Sequence, residues 1–242
     1  FLTRYTAHMS LPNVSNELRW SFDLRYQPTG QPTGRKAFPG FVVSSKALKR
    51  HGGVREKELY RVDIEALKHG FENVRFHLKA LARFGIPVIV AINRFSSDSE
   101  SEIDAILSAC AENGVEGIEA NHWADGGAGA QALAETVVKV LENEPSRFKM
   151  LYEDSVSLWE KTRTIARRTY RADDIIADKK IHDRFKQLED EGYGLFPICM
   201  AKTQYSFSTD PNLKNAPTGF SVPVREVRLS GGAEFVVVVC GD

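Results

Sequence analysis

Two stretches of this 242-residue chain carry an aromatic side chain where a ligand could reach it. They are Pro87-Val-Ile-Val-Ala-Ile-Asn-Arg-Phe-Ser-Ser-Asp98 and Val115-Glu-Gly-Ile-Glu-Ala-Asn-His-Trp-Ala-Asp-Gly-Gly127. Each runs from an apolar or β-prone segment into polar residues that hold one aromatic, Phe95 or Trp123, and a helical pattern follows. In open α/β sheets ligands settle outside the carboxyl ends of parallel strands. Two flat side chains on adjacent strand-end loops could therefore clamp a flat heterocycle, although on spacing alone aromatics at strand ends are more often core or lip residues. Arg94 and Lys202 also stand at strand ends, where a charge facing the crevice would neutralise a small anion and a solvated or structural role is about as common. Gly126 and Gly127 open a glycine-rich helix entry, which suits either close packing or an anion at the first helical amides. Asp98 and Asp125 read first as caps. His122 has no partner at metal-ligand spacing, so no metal site is expected.

The elements that must position these residues follow from periodicity. Between Glu56 and Arg83 apolar residues recur at helical spacing, with Gly70 as a point of bending or splitting and Gly85 and Pro87 as the stop. Val88 to Ile92 is a continuous apolar run, the pattern of a parallel strand buried on both faces. Ser99 with Glu102 three residues on fits a capping box, and a helix follows to Asn113-Gly114. Val115 to Ala120 is the next strand, and Gly126 to Ala130 leads into another helix. Strand, turn and helix thus alternate twice, as in βαβα winding. Residues 150–191 read as wholly helical, Leu151 to Tyr170 and then a second helix capped at Asp173–Asp174. The basic run Arg163 to Arg171 reads as a solvated face. Strands are expected at Pro197–Ala201, Val222–Leu229 and Phe235–Cys240. The predicted fold is α/β: an open, mostly parallel wound sheet with flanking helices, a helical hairpin insertion and a smaller C-terminal strand-rich part. Three segments are expected: residues 1–45, which include a Gln-Pro-Thr-Gly repeat at Gln27–Gly34 and a short strand at Phe38–Val43; 46–145, carrying the ligand site; and 146–242, with Pro145 at the boundary.

Ile92-Asn-Arg-Phe95 with Ser97-Asp-Ser-Glu100, and then His122-Trp-Ala-Asp-Gly-Gly-Ala-Gly-Ala130, resemble the formate–tetrahydrofolate ligase family. So do Pro197-Ile-Cys-Met-Ala-Lys-Thr-Gln-Tyr-Ser206 and the later Val224-Arg-Glu-Val-Arg-Leu-Ser230. The resemblance covers about residues 46–242 and is long enough to be highly specific. It departs from the family at Ser96, where a proline is usual. The resemblance implies that Phe95 and Trp123 sandwich the folate pterin. It further implies a ligase of one-carbon metabolism that joins formate to tetrahydrofolate, with ATP and Mg2+ as co-substrate, a monovalent cation as possible activator, and a tetrameric assembly. Arg94, Gly126, Gly127 and Lys202 become possible substrate or anion contacts. Catalytic residues are not identified.

Phosphoryl transfer from ATP depends on positioning and charge neutralisation around the phosphates, commonly through a G-x-x-x-x-G-K-[ST] loop. No such run occurs in the chain. In the family that loop lies toward the N-terminus, so the chain is expected to be a partial one that carries the folate clamp and is inactive alone. The alternative is a non-catalytic folate-binding or oligomer-forming remnant. Lys plus Arg equals Asp plus Glu at 32 each, so charge offers no argument for a nucleic-acid or membrane partner. Cys110, Cys199 and Cys240 lie far apart without a C-x-x-C pair, which points to neither zinc nor a disulfide framework. A reduced, cytoplasmic setting is the expectation.

Overall fold

The structure, a computed structural model, describes residues 43–85, 87–144, 147–201 and 205–240. The Gln27–Gly34 repeat, most of Phe38–Val43, Pro145 and Lys202 lie outside the described residues. The fold is mixed α/β with parallel strand pairs, as expected. The described strands are divided among three small sheets rather than gathered into one.

The N-terminal part begins with α1 (Ser45–His51), capped by the Ser44 side chain accepting from the Ala47 amide. The expected helix from Glu56 starts later. A short 3-10 turn at Glu56–Glu58 intervenes, and α2 (Ile64–Ala82) opens only where Asp63 caps the Ala66 amide at 2.9 Å. From there α2 is continuous through Gly70. A Cβ on Gly70 would lie 1.8 Å from the Leu48 carbonyl oxygen, so this glycine serves the close crossing of α1 rather than a bend. Leu67, Phe71, Val74 and Leu78 make the buried stripe of α2.

Strand β1 (Ile89–Asn93), α3 (Glu100–Glu112) and β2 (Glu116–Ala120) follow, with β1 and β2 parallel in register from Ile89 opposite Glu116 to Asn93 opposite Ala120. The capping box at Ser99 and Glu102 is present. Val90 and Ile92 pack with the stripe of α2 and with Ile103, Ile106 and Cys110 of α3. Burial on both faces of β1 was expected, yet Ala91 is exposed. The reason lies in what covers the second face. After α4 (His122–Asp125) and a 3-10 turn at Ala128–Ala130, α5 (Gln131–Asn143) lies against β2 without burying a single residue. Its Val138 and Leu141 remain about half exposed.

The C-terminal part has its own core. Helix α6 (Leu158–Thr169), capped by Ser157, and α7 (Lys179–Leu188), capped by Asp178, pack Leu158, Ala166, Phe185 and Leu188 against Val222, Val227, Val236 and Val238. The stretch expected to be wholly helical is interrupted by β3 (Asp174–Ile176), which pairs parallel with β5 (Ser221–Pro223). Asp174, expected at a helix cap, instead receives Arg163 at 2.7 Å and Arg167 at 3.3 Å. Those ion pairs hold its carboxyl down at about 2, below the usual carboxylate range. The basic face of α6 is therefore partly paired. The last sheet joins β4 (Ile198–Met200), β7 (Phe235–Val239) and β6 (Glu226–Ser230), with β7 parallel to β4 and antiparallel to β6.

Candidate functional site

The site is built from the carboxyl edge of β1 and β2. The Arg94 amide donates to the Ala120 carbonyl at 3.2 Å, so the two loops start side by side. Phe95 then follows β1 by two residues and Trp123 follows β2 by three. Neither ring is sealed in the core: Phe95 is half-buried and Trp123 is 64% exposed. The structure brings these two residues, with Arg94, Gly126 and Gly127, to one edge of the same strand pair.

The Phe95 loop is pinned from below. Asp98, buried at 7% exposure, accepts the Phe95 amide at 3.0 Å through one carboxylate oxygen and the Ser45 hydroxyl at 2.6 Å through the other. One helical turn further along both helices, Lys49 donates to Glu102 at 2.6 Å, with both side chains essentially inaccessible. The Lys49 ammonium also reaches the Arg61 carbonyl at 2.9 Å, and the Ser99 amide reaches Glu102 at 3.4 Å. Ser45 with Asp98 and Lys49 with Glu102 are thus two rungs between α1 and the start of α3. A buried charge pair is sustained only when its remaining donors and acceptors are also met, and here they are.

Arg94 lies across the mouth of the loop. Its guanidinium donates to Glu119 at 2.8 Å and to Glu100. Those carboxylates, Glu100 first, raise its pKa still further above the usual arginine range. Its charge is matched within the chain, and Glu100 is the more exposed partner, at 75% against 36% for the Glu119 side chain.

The Trp123 loop is built differently. Trp123 rides on the four-residue α4, whose base is tied by the Asn121 amide donating to the Gly129 carbonyl at 2.8 Å. The Asn121 side chain donates to Asp125 at 2.6 Å. A Cβ on Gly129 would fall 2.3 Å from the Asn121 carbonyl oxygen, so the glycine run closes the loop on itself. Gly126 takes φ 56°, and space is open beside it and Gly127. His122 is exposed, and among the described residues no group of His, Cys, Asp and Glu is arranged to hold a metal ion.

Two residues beside the site carry no motif of their own. The Lys46 ammonium sits 4.2 Å from the Tyr60 ring centroid and 5.5 Å from that of Phe95. Tyr60 is 70% exposed. The sequence offers only the helical spacing of Ser45 and Lys49, which puts them on one side of α1 without naming Asp98 and Glu102 as their partners. A concavity of about 580 Å³ lies elsewhere: Pro87, Val88, Val115 and Glu116 are among the residues that line it, at the opposite, amino edge of the strand pair.

Comparison with known proteins shows the family to which the chain belongs. Residues 36–242 match the family model described as formate–tetrahydrofolate ligase, ten residues earlier than the motifs alone suggest. The chain is 51% identical over 200 residues to the formate–tetrahydrofolate ligase of Pelagibacter ubique, covering 83% of this chain and 36% of that protein. It is 49% identical over 201 residues to the Granulibacter bethesdensis enzyme of the same name, covering 83% and 35%. With the Mesorhizobium japonicum enzyme the match extends to 221 residues at 47% identity, covering 91% and 39%. The chain spans little more than a third of the length of these curated relatives. It belongs to the formate–tetrahydrofolate ligase family.

Proposed function

We propose that this chain forms the folate-binding portion of an enzyme that joins formate to tetrahydrofolate at the expense of ATP, giving 10-formyltetrahydrofolate. The observation that supports it is the emergence of Phe95 and Trp123 from one edge of a parallel strand pair, with both rings accessible. A pterin between them would lose water from both faces, each stacked ring contributing roughly 0.5–1.5 kcal/mol beyond area burial. Gly126, at φ 56°, allows the turn that follows α4. Arg94 ties the start of the Phe95 loop to β2 through Glu119, and an anionic group of the substrate would reach it by displacing the exposed Glu100. Lys202, the other candidate anion contact, lies outside the described residues.

The nucleotide is a different matter. The one glycine-rich helix entry at the site, Gly126–Gly129, turns inward on Asn121 and is followed by neither Lys-Ser nor Lys-Thr. These residues do not fit a phosphate cradle, so no step of the phosphoryl chemistry is assigned to this chain. The division into an α/β folate part before Pro145 and a C-terminal part after it is supported by two clusters of buried apolar residues, one on each side of Pro145, with Phe76 of α2 packing against the second. A second reading, a folate-binding or oligomer-forming piece without turnover, is favoured by the uncovered apolar side of α5. Tetrameric assembly and a monovalent-cation requirement belong to the proposal in the same way.

Isothermal titration with tetrahydrofolate tests the reading. The wild-type chain should bind, and Phe95→Ala or Trp123→Ala should each weaken binding about three- to tenfold, the range of a lost stacking contact. Supplying formate and ATP should produce no 10-formyltetrahydrofolate from this chain alone. Unchanged affinity in both variants would remove the clamp.

A further inference from the structure

The cations around the Phe95 loop differ in one respect. Lys49 is paired with Glu102, Arg50 with Glu56, Arg55 with Glu58, and Arg94 with Glu119 and Glu100. Among the described residues no carboxylate lies within ion-pair distance of Lys46. Its ammonium is held instead against two ring faces, Tyr60 at 4.2 Å and Phe95 at 5.5 Å. The backbone that carries Lys46 is anchored beside Phe95, because its neighbour Ser45 is bonded to Asp98 and Asp98 in turn holds the Phe95 amide. Tyr60 exposes most of its own surface and so gains little from burial. Its ring has a clear use as the second wall around the ammonium.

An aromatic face carries the negative end of the ring quadrupole, which opposes direct stacking on another electron-rich face. A cation within about 6 Å of that ring is attracted to it and draws its π-density toward one side. The exposed part of the ring then becomes a better partner for an electron-rich heterocycle. We propose that Lys46 is a specificity-determining positioning residue of the Phe95 site, one that orients the ring and tunes it for a reduced, amine-rich pterin over the oxidised, electron-poor form. This inference rests on the folate reading above.

The test compares tetrahydrofolate with folic acid by titration calorimetry on the whole chain. In Lys46→Met, tetrahydrofolate binding should weaken about two- to fivefold, the size of an exposed cation–π contact, while folic acid binding changes less. The ratio of the two affinities therefore falls. Lys46→Arg should keep the ratio. Tyr60→Leu, which removes the second wall at an exposed position, should lower it in the same direction, and decides the matter if Lys46→Met does not fold. An unchanged ratio in Lys46→Met and Tyr60→Leu, with Trp123→Ala still weakening tetrahydrofolate, overturns the role of Lys46 alone. Failure of the wild-type chain to bind either ligand overturns the folate reading and this inference with it.

Discussion

The two loops at the carboxyl edge of β1 and β2 are built to different standards. The Phe95 loop is tied into the buried interior by Asp98, which meets a backbone amide and Ser45 at once, and by the Lys49–Glu102 pair one turn below. The Trp123 loop is tied chiefly to itself, through Asn121, Asp125 and Gly129, and the helix that follows buries none of its residues. The backbone that carries Phe95 is thus anchored to the interior. Trp123 stands on a short helix that can adjust. A binding site with one fixed and one yielding wall loses less affinity to ordering than one with two loose walls, because only the loose side must be immobilised on binding.

Breaking the fixed side should have the largest effect. Lys49→Met leaves the Glu102 carboxylate buried without its partner and should cost about 3–5 kcal/mol in urea denaturation. The double change Lys49→Met with Glu102→Leu should recover much of that loss, because it removes the stranded charge. Asp98→Ala comes next. It strands the Phe95 amide and the Ser45 hydroxyl, at a cost of about 2–3 kcal/mol. It should also speed amide exchange at residues 94–97 while leaving 121–129 unaffected.

A pH effect on the same side is smaller. Burial, with Arg50 and Lys214 nearby, lowers the His51 pKa from 6.5 to about 4. The unfolded chain then binds the proton more readily than the folded one, so stability is complete above about pH 6.5 and falls as pH drops toward 4. By about pH 5 the loss should be on the order of 1–2 kcal/mol, and His51→Asn should flatten that limb of a stability-versus-pH curve. Last in effect on stability is Trp123→Ala, which should move unfolding by no more than about 0.5 kcal/mol, as for an exposed side chain. A large loss there would erase the contrast between the loops.

Much of this arrangement is legible in the residues alone. The run from Val88 to Ile92 reads as a strand because it is uniformly apolar, and Ser99 with Glu102 marks the helix start because capping is a local affair. Phe95 and Trp123 stand out because each ends an apolar run. What periodicity misses is pairing across distance. Ser45 with Asp98 and Lys49 with Glu102 are each 53 residues apart, and Arg94 finds Glu119 across the strand pair. Strand β3 hides within a charged stretch because only Ile175 of its three residues is buried, and its partner β5 lies more than forty residues on. The late start of α2 follows from Asp63, one of several polar residues that could have served as the cap.

Hydrogen exchange with and without tetrahydrofolate tests the clamp most directly. If the pterin sits between the two rings, peptides covering residues 93–98 and 121–130 should both exchange more slowly with ligand present, the second by more because its loop starts looser. Protection confined to other parts of the chain, with both of these peptides unchanged, would contradict a clamp formed by Phe95 and Trp123.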